Sequence, residues 1–591
     1  MMIFDWATYH WRILRLVGYF LLPILIAAGC TWGIPDIPTA SSAETQPPIV
    51  EADILGEQGL VPLARPGPWQ DVTQLIGYGD RLWFANSVTG INHNSADIYS
   101  YDPVTQTTRY EQHLFSQDAG TPVVADGLLY WPFEDPRFSA DLGEYMVTDG
   151  TQWQWRVLPQ GQAFHVHVMA THQGMLLAGT GAWAGGLQRS LDGGRTWQVL
   201  YNHPTPPRQV SRLTTLASFD NNLYGGFTAL HSQDSQLFRW EADTFQPVTA
   251  WPNGKRVMDL TPFGGWLYGI NRNLDDSLTL WRTDGQQAEP VTALADYRIQ
   301  ALAADDQGLW VLGSRPTGAL LWYSPNGTDW TAAYQFEDIQ PLDLALFQGQ
   351  VYVGGRDRND KGILLGSQLS RSSQSTPPSL ARTETRRLPT PSSTSGQTLV
   401  SAVRQVEQVL ASPATYRDGD SQAALAQALL PLALSQTAQA GDALSQQLQA
   451  ALPEMTANLF ENNVQAPAAD VARWYVLWAI GLNGRGYVPV DLLIQPWNTP
   501  ANDREKYWQT VPAAMWTMAQ IGQSDRRTLT LLVERLNNSD DPLWLKGDAV
   551  GALSTLTGQS FGYDGIAWQN WLQPEAATNK AVNHTHQCFQ T

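Results

Sequence analysis

The sequence predicts a multidomain chain, an all-β seven-bladed propeller followed by an all-α repeat domain. Three observations predict it. A motif of apolar residues, a Gly/Asp/Asn turn and an apolar–aromatic pair recurs seven times, as GDRLWFAN, ADGLLYWP, HQGMLLAG, DNNLYGGF, GGWLYGIN, DQGLWVLG and QGQVYVGG. Its anchors Trp83, Tyr130, Leu177, Tyr224, Tyr268, Trp310 and Tyr352 stand 47, 47, 47, 44, 42 and 42 residues apart, the length of a four-stranded blade. After residue 367 the strand signals stop, and beyond a Ser/Thr/Pro-rich stretch a 3.6-residue apolar period takes over. With 591 residues, 43% hydrophobic and only 15% charged, the chain supports a large core and more than one domain.

The elements follow in order. Arg12 and Arg15 precede an almost wholly apolar run from Leu16 to Gly29, too short for the ~20 residues of a membrane span and suited to an export signal. The stretch Ile26-Ala27-Ala28-Gly29-Cys30 resembles a bacterial lipoprotein box. That resemblance implies a signal peptide over 1–30, lipidation at Cys30 and a lipid anchor to a membrane on the extracytoplasmic side of the cell envelope. Residues 31–58, rich in Pro and Ser, read as a flexible tether, and 59–367 as the propeller. The last repeat lacks an outer strand, and an unpaired edge cannot close a ring. Residues near 59–66 are therefore expected to supply that strand.

Residues 368–398 read as a linker that allows independent motion, 399–573 as the helical domain and 574–591 as a disordered tail. Val471, Trp474, Tyr475 and Trp478 mark one helical face; Leu529, Leu532, Val533 and Leu536 another; Leu545, Ala549, Ala552 and Leu556 a third. Asp541-Pro542 reads as a helix start with Asp as N-cap. The order of these helices and the ending TGQSFGYD before Trp568 and Trp571 resemble bacterial HEAT-like arrays, which implies a protein-binding surface.

Ser190-Leu191-Asp192-Gly193-Gly194-Arg195-Thr196-Trp197 resembles the Asp-box of sialidase-like (BNR) propellers, with degenerate copies at Asp149, Asp284 and Asn326. The resemblance implies a structural turn in which Asp bonds backbone amides and Trp packs beneath. It does not imply catalysis.

The repeat also serves as a ruler. Twelve residues before the anchors stand Asp71, Asp118, His165, Arg212, Arg256, Arg298 and Gln340, at the start of the innermost strand. Two residues on come Thr73, Gly120, His167, Thr214, Met258, Gln300 and Leu342. These rings line one channel mouth, and Arg272, Arg315, Arg356 and Arg358 open on the same face. In a chain of net charge −19, such a cluster reads as an anion site, since Arg captures carboxylate or phosphate bidentately. The alternative is that these arginines pair with Asp71, Asp118, Asp259, Asp275 or Asp343 and satisfy a polar channel. His165 and His167 share a strand face. With only His172 or Asp118 to complete a ligand set, they read as channel histidines, and no metal or cofactor is expected. The tryptophans read as packing, with Trp131 and Trp183 near loop mouths where an indole could stack on a sugar.

The acidic charge excludes a general nucleic-acid binder. Two Cys exclude a disulfide framework, and Cys588 reads as incidental. No phosphate loop, His-Glu-x-x-His or Gly-x-Ser-x-Gly is present. The expected function is that of a non-enzymatic scaffold. Its propeller would recognise a protein, glycan or small anion, and its helices a second protein partner; in outline it is similar to photosystem assembly factors. The alternative, implied by the sialidase resemblance, is a glycoside hydrolase acting on anionic sugars, with Arg212, Arg256 and Arg298 as a carboxylate-binding triad and Asp71 and Asp118 as its carboxyl pair.

Overall fold

The computed structural model describes residues 55–573 apart from 56–58, 89–94, 117, 135–141, 159–162, 182–184, 205–209, 231–235, 368–395, 412–418, 458–467, 486–487 and 495–509. The export signal, Cys30, the tether, nearly all of the linker, Trp183 and the tail with Cys588 lie outside the described residues.

A propeller-like β domain is followed by a helical C-terminal region. The strands form five four-stranded antiparallel sheets and one eight-stranded sheet. The larger sheet consists of two four-stranded meanders, His165–Asn202 and Val210–Pro247, joined by the single pair Gly181–Arg212. All seven anchors are buried, which is why the repeat keeps an apolar or aromatic residue there.

The ring is closed by its own N-terminus. Leu60–Ala64 pairs antiparallel with the last strand, Gly362–Ser367, through Leu60–Ser367, Val61–Gly366 and Pro62–Leu365. This is the outer strand expected of residues 59–66. Pro62 is tolerated because it lies on an edge. Leu60 is 4% exposed, so Leu60→Asp is expected to lower stability by more than about 3 kcal/mol, from lost packing and an unpaired buried charge. Urea denaturation checks this; an unchanged midpoint would mean that the strand is dispensable.

Turn chemistry repeats from sheet to sheet. Asp102, Asp149, Asp192, Asp284 and Asn326 each accept two backbone N–H bonds through Oδ1 within their own hairpin turns. Trp197 is buried and donates to the Tyr145 hydroxyl of the preceding sheet at 3.1 Å. Several arginines are spent in this layer. Arg156, Arg239 and Arg282 each donate to a turn carbonyl of the next sheet, at Gly193, Gly285 and Gly327, at 2.7, 3.2 and 3.3 Å.

The helical region is docked on the β domain, so the independent motion expected of the linker is not what the contacts favour. One apolar cluster runs from Phe84, Phe115 and Trp155 into Trp478, Trp516 and Leu553. Trp516 packs on Trp155 with ring centroids 5.0 Å apart. The helix Leu543–Thr557 carries Gly547 and Gly551 on one face, an unfavourable choice for helix propensity. Their purpose is close approach. A Cβ on Gly551 would stand 2.5 Å from the Cβ of His113, and one on Gly547 would stand 2.8 Å from the same ring.

Into that notch fits a buried polar network. His113 Nδ1 bonds Asp97 Oδ1 at 2.8 Å and its Nε2 bonds Asp548 Oδ1 at 2.9 Å, with all three side chains fully buried. Asp97 Oδ2 also accepts from Trp69 Nε1 at 2.8 Å and from the Tyr563 hydroxyl at 2.7 Å. Nearby, buried Glu144 accepts from Trp155 and, across the junction, from Trp478 at 2.8 Å.

Two local expectations need correction. The helix after Asp541 begins at Leu543, with Pro542 and not Asp541 at its cap position. Its buried carboxylate is held by Arg535 at 3.1 and 3.2 Å, a stronger claim on it than backbone N–H groups make. The first helix starts at Gly396, inside the stretch read as linker.

Candidate functional site at the channel mouth

Each inner strand enters its sheet in the same register. Asp71, His165, Arg212, Arg256, Arg298 and Gln340 pair with Ser87, Gly181, Thr228, Arg272, Ser314 and Arg356, always 16 residues further on. The ruler positions are thus structurally equivalent. A bulge follows within a few residues in all six strands, between Val166 and Val168 in the third repeat, for example. It re-aims the second ring of side chains.

The second repeat breaks this pattern. Its regular inner strand is only Val123–Ala125, and before it the ladder survives as the bridge Ala119–Phe133, with Gly120 N–H donating to the Pro132 carbonyl at 2.9 Å. Thr121 instead donates to the His167 carbonyl at 2.8 Å and accepts from Met169 N–H at 3.0 Å. A Cβ on Gly120 would stand 2.6 Å from the Val166 carbonyl oxygen, so this crossing needs glycine. By the count of 16, the counterpart of Asp118 is Glu134, whose N–H donates to the Asp118 carbonyl at 3.2 Å. The His165 ring bonds the Glu134 carbonyl oxygen through Nδ1.

Glu134 is the residue that sequence reasoning missed. Its carboxylate lies 3.8 Å from His167 Nδ1 and 3.7 Å from Arg212 Nη1. Arg212 Nη2 stands 3.3 Å from His165 Nε2, and the two imidazoles stack with centroids 5.2 Å apart. The ruler held the signal: four residues after each anchor stand Ser87, Glu134, Gly181, Thr228, Arg272, Ser314 and Arg356. Glu134 is the only acid in that row.

Electrostatics here are set by burial first. Burial pushes the Glu134 carboxyl up, opposed by Arg212 and Arg256. It pushes His165 down to about 3 and His167 well below its ordinary value, with the nearby arginines adding to both. Arg256 is lowered by burial and by Arg212, while Glu134 and Asp259 act the other way. Both imidazoles are therefore neutral at neutral pH. Several buried ring atoms have no protein partner: Thr73 Oγ1, His167 Nε2, Gln300 Oε1 and the Nε atoms of Arg212 and Arg256.

The other predicted residues are placed apart from this group or already held. Asp71 is fully buried and bound bidentately by Arg356 at 2.7 and 3.0 Å. Asp118 accepts from Ser87 and from Ala119 N–H, and burial raises its carboxyl to about 7. Arg272 pairs with exposed Asp276, Arg358 with exposed Asp338, and Arg315 lies over the Tyr297 ring at 5.1 Å. Arg298 is exposed and donates to the Asp276 carbonyl. His172, offered as a third metal ligand, bonds Ser218 at the opposite end of its strand. Trp131 is fully buried and presents no stacking face.

No family model and no curated protein matches this chain. Among solved structures it is similar to the β-propeller domain of the Trilobed protease from Pyrococcus furiosus, at 8% identity over 51% of this chain and 97% of that chain, with a TM-score of 0.38. It is similar also to the Neurospora crassa Pan2 WD40 domain, at 10% identity over 55% and 98%, with a TM-score of 0.38. A third similarity is to Pyrococcus horikoshii acylaminoacyl peptidase, at 6% identity and a TM-score of 0.36, where the match spans 50% of each chain.

Proposed function

We propose that the protein is an exported, lipid-anchored, non-enzymatic binding protein, whose propeller mouth receives an acidic group of a protein or glycan. In this reading the eight-stranded sheet counts as two blades, giving seven, and the hairpin turns are Asp-box turns. The HEAT-like helices use the faces turned away from the propeller for a second partner, as an assembly factor would. Exposed Leu543, Ile566 and Trp571 on the helical region suit such a contact.

One observation carries the anion reading. Arg212 stands 3.7 Å from the Glu134 carboxylate, Arg256 of the next repeat acts electrostatically on the same group, and each arginine keeps a buried Nε without a protein partner. A ligand carboxylate or phosphate reaching those atoms gains charge-assisted hydrogen bonds in a poorly solvated place. The hydrolase alternative is weaker, because Asp71 is committed to Arg356 and Arg298 is bound elsewhere on the rim.

The test is an array of acidic peptides and sialylated or sulfated glycans, probed with wild type and an Arg212→Ala/Arg256→Ala variant of matched melting temperature. Removing two charged donors, at roughly 1.5–3 kcal/mol each, should weaken the recognised ligand by about 100-fold or more. Equal binding by both proteins would reduce the arginines to channel structure and move the search to the helices.

A further inference from the structure

We propose that Glu134, His165 and His167 form a three-ligand site for a divalent first-row transition cation of the zinc class, with a remaining coordination position open to the channel. The proposal stands independently of the anion reading.

The donor set comes first. Two imidazole nitrogens and one carboxylate oxygen suit zinc and its neighbours, and disfavour calcium and magnesium, which prefer oxygen alone. One candidate ligand atom from each residue falls within 4.8 Å of the others. Tetrahedral bonds of ~2.0–2.1 Å place ligand atoms ~3.3 Å apart. Closing that gap asks for side-chain rotation and no backbone rearrangement, and Glu134 Oε1 already stands 3.8 Å from His167 Nδ1.

Orientation comes next. His165 Nδ1 is tied to the Glu134 carbonyl oxygen, which fixes the ring and leaves Nε2 as the donor to a metal. Metal-binding histidines are held in this way by a backbone carbonyl or a carboxylate. His167 is 5% exposed, and its Nε2 has no partner. Its Nδ1, the nitrogen that faces Glu134, is the one placed to take a metal, and the unpartnered Nε2 leaves the ring without a competing protein bond. The strand bulge between Val166 and Val168 and the crossing of Thr121 onto the third repeat bring the three residues together, so the grouping is built by the fold.

Arg212 occupies the same space. Its guanidinium reaches toward His165 Nε2 at 3.3 Å and Glu134 Oε1 at 3.7 Å, beyond good hydrogen-bond lengths. A cation bound to the three ligands must displace it and feel its charge. Metal and Arg212 therefore compete, which separates the two readings experimentally: Arg212→Ala should weaken an anionic ligand and tighten the metal.

The tail offers His584, His586 and Cys588 as rival ligands by composition alone. The experiment accordingly uses the full chain carrying His584→Ala, His586→Ala and Cys588→Ser, stripped of metal by chelator. Zinc is titrated calorimetrically, and cobalt is followed by its visible absorption, which reports coordination number. One equivalent is expected to bind. Glu134→Gln and His167→Ala should each weaken zinc by roughly 100-fold or more, since losing even a hydrogen-bond partner of a metal ligand costs 10–100-fold. Arg212→Ala should tighten it several-fold. Absence of stoichiometric binding overturns the proposal. So does zinc affinity that survives Glu134→Gln, the variant least able to disturb folding because Glu134 is partly open to the channel.

Discussion

His113→Ala is expected to uncouple the helical region from the propeller. The substitution removes the imidazole that bridges Asp97 and Asp548, in a place where all three side chains are fully buried. Breaking a buried pair of this kind costs about 3–5 kcal/mol, most of it the penalty of the stranded charge. Trp69 and Tyr563 still satisfy one oxygen of Asp97, whereas Asp548 loses a bond that links strand to helix. Wild type should unfold in urea as one transition, and the variant in two, with faster proteolytic cleavage between residues 368 and 395. Gly551→Leu should do the same without touching any charge, because its side chain would enter the space of the His113 ring. A single unshifted transition in both variants would show that the junction is held elsewhere.

Stability of the intact chain should fall as pH rises from about 6.5 to 8, opposite to the trend of a protein stabilised by ionised carboxylates. Burial moves the Glu144 carboxyl up from 4.5 to about 8, against the two indole donors that favour its charged form. The folded chain thus keeps a proton that the unfolded chain releases, and stability is lost progressively between those values. His113 shifts the same way for a different reason. Burial lowers it, but hydrogen bonds to Asp548 and Asp97 outweigh burial and raise it overall. Its contribution is present in full below about 6.5 and disappears as pH passes its folded value. Asp118, raised to about 7, adds to this trend.

Each such proton contributes a slope of up to roughly 1.4 kcal/mol per pH unit. The turn carboxylates Asp102, Asp149, Asp192 and Asp284 are lowered, so their stabilisation is lost only as pH falls below the ordinary carboxylate range. Buried His165 and His167, both lowered, work the other way and gain stability as pH rises toward about 6.5, so the net fall is expected above that value. Urea midpoints at pH 5, 6.5 and 8 measure it, and Glu144→Gln should flatten the slope, with its advantage over wild type appearing only toward pH 8. Wild type that is firmer at pH 8 than at pH 6.5 would refute the assignment.

Much of the molecule is local enough to be written in the chain. The anchors recur because every sheet needs an apolar or aromatic side chain at the same depth. The turn acids recur because each hairpin has the same free amides. The closing strand at Leu60–Ala64 could be inferred because a ring with an incomplete last sheet has one edge left, and a short apolar run before the first repeat can fill it. Even the ring positions were legible, since a constant offset from the anchor is a constant register in the ladder.

What the sequence left open depends on neighbours that share no local pattern. Asp71 and Arg356 meet only because the ring closes, 285 residues apart, and that contact removes both from the free charge at the mouth. Arg156, Arg239 and Arg282 bind turns in the next sheet, so an arginine count overstates the cationic surface. Glu134 joins His165 and His167 because Thr121, just before the second repeat's regular inner strand, bonds across to the third repeat. The docking of helices on strands rests on two glycines and a buried histidine 435 residues from its partner Asp548. The period of the chain determined the sheets, their anchors and the positions lining the channel, because strand register and hairpin turns are properties of residues close in sequence. Tertiary structure alone decided which charges at those positions meet and which face the helices cover, because a side chain's partner is set by distance in space across a closed ring.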